Sequence, residues 1–182
     1  SDVLIDQISV TGSDSQEGGG IMLRNGQRMR ILRSEVTRVR YAMSLYKAND
    51  VRVEHNDIHN VRTDAIRGGG VSNLLIAGNM IGNFLTAPKD HPDGIQFWSA
   101  GEKAPARNIT IRDNLIARGK GNIFQGIFIR DNRSTMPFEQ VTVTGNLVIG
   151  PMYGGIGLNG VVGGEISGNK VISYSDFVAR IY

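Results

Sequence analysis

Asp64, Arg67, His91 and Asp93 are the residues of this chain best suited to acid–base work. Asp93 opens the run Asp93-Gly94-Ile95-Gln96-Phe97-Trp98, and Lys89, Asp90 and His91 lie in the loop just before it. Histidine is the side chain whose proton moves near neutral pH, which suits it to the role of general base. Two carboxylates held side by side perturb each other's ionisation and can serve as an acid/base or nucleophile pair. The same oxygens can also hold a hard cation such as Ca²⁺. An arginine beside them has two uses. It can neutralise the pair, or it can neutralise the carboxylate of a substrate and the charge that builds up next to it.

Such a constellation works only if the chain brings positions 64, 67, 91 and 93 to one surface, and the repeats supply the means. One unit reads Gly-hydrophobic-X-hydrophobic: Gly20-Ile21-Met22-Leu23, Gly94-Ile95-Gln96-Phe97, Gly126-Ile127-Phe128-Ile129 and Gly155-Ile156-Gly157-Leu158, with variants at Ala42 and Ala65. A second unit reads hydrophobic-X-X-Asn-X-hydrophobic and places Asn56, Asn79, Asn114, Asn146 and Asn169 alike. Degenerate copies carry Asp6 and Ser34 at the Asn place. The copies start at 3, 31, 53, 76, 111, 143 and 166, so the short steps are 22 or 23 residues and the longer ones contain insertions. A period in the low twenties, made of short alternating strands and turns, predicts a solenoid. The Leu-X-X-Leu-X-Leu pattern of leucine-rich repeats is missing, and no convincing helical periodicity appears. The fold expected is all-β: a parallel β-helix of about seven rungs, with Ile, Val and Leu filling its interior. The recurring Asn fits a turn that needs left-handed backbone geometry, and stacked Asn side chains can bond from rung to rung.

If Ile21, Met43, Ile66, Ile95, Ile127 and Ile156 point inward, their sequence neighbours point outward in columns. The columns are Gly19, Tyr41, Asp64, Asp93, Gln125, Gly154; then Met22, Ser44, Arg67, Gln96, Phe128, Gly157; then Arg24, Tyr46, Gly69, Trp98, Arg130, Asn159. The middle rungs thus gather Tyr41, Tyr46, Gln96, Trp98, Gln125 and Arg130 around the acids, while the terminal rungs show Gly and Met. Rings that stack on sugar faces and forked donors that hold carboxylates make a carbohydrate groove. Asp64 and Asp93 fall in adjacent rungs, about 5 Å apart. Insertions at Asn83–Pro92, Ser99–Arg107 and Arg130–Gln140 should wall this region. His55 and His59 lie in a turn region away from it and are read as structural.

The chain has 182 residues, 40% hydrophobic and 20% charged, with 24 Gly, 5 Pro and no Cys. These values fit one globular domain over residues 1–182 and exclude disulfides and thiolate metal sites. No apolar run is long enough for a membrane span. Net charge is +3, and ten of the twenty Lys and Arg lie between Arg24 and Arg67, which suits an acidic polymer or simply a solvated face. Those arginines fall on several faces without interleaved aromatics, so nucleic acid is not expected.

With its Asn-marked rungs, the chain resembles the pectate-lyase-like superfamily of right-handed parallel β-helices from Val3 to Tyr182. That superfamily contains lyases, hydrolases, epimerases and phage tailspikes, so the resemblance implies a right-handed fold more than a reaction. The segment Asp90-His91-Pro92-Asp93-Gly94-Ile95 is similar at its Asp-Gly to polygalacturonase-type hydrolases, and loosely to the Asp-Pro-His segment of alginate epimerases. A second paired-Asp motif, Gly-His-Gly and Arg-Ile-Lys are absent. The expectation is a secreted or extracellular protein, bacterial or phage, that acts on an acidic polysaccharide by β-elimination or C5-epimerisation of a uronate. His91, or a nearby Tyr or Lys, is the expected base, Arg67 the carboxylate partner, and Asp93 the orienting or sugar-contacting group. Tyr41, Tyr46, Lys89, Gln96, Trp98, Gln125 and Arg130 form the substrate surface. No cofactor is required, with Ca²⁺ at Asp64 and Asp93 the other use of that pair. Alternatives are a hydrolase using the two aspartates, and a non-catalytic tailspike or adhesin module, expected to be a homotrimer. The chain begins mid-pattern and has no capping helix, which points to an excised domain whose ends stack on other domains.

Overall fold

The computed structural model describes residues 2–13, 15–132 and 134–182. They contain no helix, and three parallel sheets run the length of a coil. The first sheet begins with Val3–Asp6, Gln27–Leu32 and Asn49–Glu54, then continues through Ser72–Ala77, Arg107–Arg112 and Phe138–Thr144. Three-residue strands such as Glu35–Thr37, Asp57–His59 and Met80–Gly82 build the second. The third stacks Gly19–Arg24, Tyr41–Tyr46, Ile66–Gly69, Asp93–Trp98, Gln125–Arg130, Gly154–Asn159 and Arg180–Ile181. Each rung contributes one strand to each sheet, giving the expected β-helix of about seven turns.

β-Branched residues at alternate positions drive this arrangement, because one face of every strand must leave water. Ile31, Val53, Ile76, Ile111 and Val143 lie in register inside the first sheet and are buried. Val36, Ile58, Ile81, Ile116 and Val148 do the same inside the second. The inward column of the third sheet is the predicted one, from Ile21 to Ile156. Gly68 stands in that sheet's other inward column, between Leu45 and Phe97. A Cβ there would meet the Leu45 carbonyl at 1.9 Å and the Phe97 ring at 3.2 Å, so this rung can close only around glycine.

The Asn residues form a ladder inside the turn between the first two sheets. Asn56 accepts from the Ser34 amide at 2.9 Å, and its Nδ2 donates to Asn79 Oδ1 and to the Ile31 carbonyl. Asn79, Asn114, Asn146 and Asn169 repeat the pattern. Two details differ from expectation. The left-handed residue is not the Asn but the one before it: Arg33, His55, Gly78, Asp113, Gly145 and Gly168 all have φ between 45° and 65°. The Asn side chain instead points in and serves the backbone of its neighbours. In the first rung Ile5, not Val3, is in register with Ile31, so Ile8 occupies the ladder place and Asp6 lies outside it. The Ile8 amide donates to Ser34 Oγ, and Asp6 pairs with Arg33.

The insertions behave as walls. Phe84 of the first turns inward and stacks on Phe124 at 5.1 Å, both fully buried. Ser99 donates to the buried Asp131 at 2.7 Å, and Asp131 Oδ2 accepts from the Met136 amide at 3.0 Å, tying the other two together. The glycines of the last rung are not exposed as expected. Gly154 and Gly157 are buried, and a Cβ on Gly157 would meet the Tyr182 ring at 2.8 Å. Among the described residues no helix is long and apolar enough to cross a membrane.

Candidate functional site

The register of the third sheet assembles the predicted face. Asp93 pairs with Gln125, Gln96 with Arg67 and Phe128, and Trp98 with Arg130, while Tyr46 pairs with Gly69. A cleft of about 330 Å³ opens at the start of the Asp93–Trp98 strand. Tyr41, Asp64, Arg67, Lys89, His91 and Gln96 line it, joined by Arg40, Thr63 and Asp90. Asp64, just before the Ile66–Gly69 strand, and Asp93, at the start of the strand beside it, are thus brought to neighbouring rungs, and the insertion before the second strand delivers Lys89 and His91.

Asp93 is 0% exposed and Asp64 5%, so Asp64 lies in the floor of the cleft and Asp93 beneath its lining. The Asp93 amide donates to Asp64 Oδ1 at 3.3 Å, which confirms adjacent rungs. Asp93 Oδ2 receives two side-chain groups: His91 Nδ1 at 3.2 Å and the Gln96 amide donor at 2.9 Å. Asp93 Oδ1 has no partner. Burial pushes Asp93 up to about 6 against the pull of His91, and the nearby Asp64 charge adds to the rise. Burial also raises Asp64, in spite of Arg67. His91 is raised above its ordinary value chiefly by its bond to Asp93, with its own partial burial opposing. Its side chain is 59% exposed. With the proton on Nδ1 facing Asp93, the His91 Nε2 lone pair is the group free to meet a ligand.

Arg67 is held more tightly than a substrate-facing arginine would be. It donates to Asp64 Oδ2 and to the Tyr46 hydroxyl, both at 3.1 Å, and its guanidinium carbon lies 3.5 Å from the Tyr41 ring centroid. Trp98 stands edge-on to Tyr46 at 6.2 Å. Lys89, by contrast, is exposed, as is Arg130. The sequence reading missed the clamp on the His91 loop. Arg62 donates from Nε and NH2 to the two oxygens of Asp90 at 2.7 and 3.2 Å and also pairs with Glu17. That fork holds Asp90 below the usual carboxylate range and Arg62 above its own. Arg40 stands 3.5 Å from Glu17 and joins the same network. The excess of arginine before position 67 was the one available signal.

Among the described residues, the buried side-chain atoms without a hydrogen-bond partner are Arg40 Nε, Arg67 Nε, Asp93 Oδ1 and Gln125 Oε1. All four belong to this cleft or to its column. Unsatisfied buried polar atoms are costly, and those found here gather in one place. Among the described residues no group of three or more His, Asp or Glu could hold a metal ion. Asp64 and Asp93 therefore offer a cation only a pair. His59 lies on the second sheet between Thr37 and Glu35, at 3.2 and 3.1 Å, as part of a cross-rung surface array.

No curated protein and no solved structure matches the chain. The family described as the right handed beta helix region matches residues 1–171, nearly all of the coil. By that match and by its three-sheet parallel coil, the chain belongs to the right-handed β-helix family.

Proposed function

We propose that this domain binds an acidic polysaccharide on its third sheet and removes the proton beside a uronate carboxylate. The observation that carries the reading is the His91–Asp93 dyad: an exposed imidazole fixed by a fully buried carboxylate at the mouth of a cleft with cationic and aromatic walls. In β-elimination His91 Nε2 takes the C5 proton, the C5–H electrons form the C4=C5 double bond, and the C4–O bond breaks. The leaving oxygen then takes a proton from the imidazolium. Epimerisation shares the first step and returns a proton to the other face of C5. Lys89 is the better partner for the substrate carboxylate, because it is exposed, whereas Arg67 is partly buried and held by Asp64, Tyr46 and the Tyr41 ring. Arg67 then positions these two. Paired-aspartate hydrolysis fits less well, since neither carboxylate is open enough to meet a sugar directly.

The experiment is the ultraviolet absorbance of unsaturated uronate, followed on polygalacturonate, alginate and other acidic polymers beside His91→Ala and Asp93→Asn. Rising absorbance that both substitutions abolish is the expected result. New reducing ends without absorbance would transfer the reaction to hydrolysis. Retained glycan with deuterium entering C5 would indicate epimerisation. Retention with no exchange would leave a glycan-binding module.

A further inference from the structure

The cleft at His91 is one end of a longer trough. A second cleft, of about 320 Å³, lies at the far end of the Asp93–Trp98 strand and is lined by Trp98, Phe128, Arg130 and Asn132. Gln96 lines both clefts, so they share a wall. Its amide nitrogen is committed to Asp93, which leaves its carbonyl oxygen to accept from a ligand hydroxyl. From Asp93 to Trp98 the strand covers roughly 16 Å, longer than one sugar ring and comparable with about three linked units.

The charges along this line sort themselves. Arg40, Arg62 and Arg67 are all matched with carboxylates of the chain. Lys89 at one end and Arg130 at the other are exposed and, among the described residues, have no ion-pair partner. Gln96 lies between them, and Trp98, braced by Tyr46, stands beside Arg130. A neutral ligand would have no use for two free cations at opposite ends of one trough.

We propose that the trough binds a run of about three or more acidic sugars laid along the Asp93–Trp98 strand, one anionic group on Lys89, another on Arg130, and a ring face on Trp98. The proposal rests on the uronate reading and deepens it. The protein then recognises a segment of polymer and not a single terminal sugar.

Trp98 is the only tryptophan of the chain, so its emission reports directly on the trough. The test titrates the whole domain with oligogalacturonates from dimer to hexamer, and with sulfated heparin-derived oligosaccharides as the second anion source. Neutral cello-oligosaccharides and oligothymidylate serve as competitors. The expected result is an emission change whose affinity climbs from dimer to about tetramer and then levels, and which falls with salt. Arg130→Gln should weaken the tetramer about fivefold to tenfold and the dimer hardly at all. Which series binds decides between carboxylate and sulfate. Equal affinity for dimer and hexamer, indifference to Arg130→Gln, binding of the neutral series as tight as the acidic one, dominance of oligothymidylate, or silence of Trp98 in every series would each overturn the proposal. Length-dependent binding without any product would keep the trough and remove the proton abstraction. Product formation with Trp98 silent would keep the chemistry and remove the trough.

Discussion

Two columns of buried polar side chains run through this coil, and they are built to opposite standards. In the Asn ladder every rung satisfies the next: Asn114 accepts from Asn79 and donates to Asn146 and to the carbonyls of Ile76 and Arg112. In the column of Asp64, Asp93 and Gln125, two of the three residues keep a buried oxygen with no partner. Backbone register holds both columns equally well. The difference is one of energy: a satisfied polar network adds specificity and stability, whereas unpartnered buried atoms cost it.

The comparison can be broken from either side. The largest effect is expected in the ladder. Asn114→Leu strands the Asn79 amide and two backbone carbonyls inside the turn, and should cost on the order of 3 kcal/mol, read as a lower urea midpoint. In the site column the sign should reverse. Asp93 has its folded value raised from 3.8 to about 6, so the folded state binds more protons than the unfolded one across that window, and stability falls as pH rises through it. Asp93→Asn removes this penalty while keeping an acceptor for Gln96. It should stabilise the domain by about 1–3 kcal/mol at pH 8, with the gain disappearing near pH 4, while turnover on the acidic polymer is lost. Equal effects at both pH values would show that Asp93 is not a cost to the fold.

Smaller effects sharpen the same contrast. His91 owes its raised value mainly to Asp93, so Asp93→Asn should return it toward the ordinary histidine value in an NMR titration. Turnover should rise with pH as His91 loses its proton, over a range displaced upward from that of an ordinary histidine because the bond to Asp93 favours the imidazolium. Arg62→Ala removes the fork on Asp90 and should speed amide hydrogen exchange in residues 85–92 by about tenfold or more, with little change in the melting midpoint. Unchanged exchange there would mean that Phe84, stacked inside on Phe124, holds the loop without help.

Much of this was legible in the one-dimensional pattern, for a definite reason. A solenoid repeats its contacts at a fixed chain separation, so the alternation that buries Ile95 also predicts that Asp93 and Gln125 are neighbours. The Asn spacing showed a ladder, although the left-handed turn belongs to the residue before each Asn. Where the pattern degenerates, at Asp6 and Ile8, register could only be read from the pairing itself. Insertions escape the repeat, and so the Arg62–Asp90–Glu17 clamp was not visible.

The sequence by itself determined the coil, the inward columns and the set of residues that share a face, because period-2 alternation and a rung of 22 or 23 residues leave few other ways to bury the Ile and Val. Only the tertiary structure decided which members of that face are exposed. The fold buries Asp93, Asp64 and much of Arg67, the last beneath the Tyr41 ring and against the Tyr46 hydroxyl, and leaves His91, Lys89 and Arg130 open. Burial depends on what lies above a side chain, and strand alternation records only which way it points.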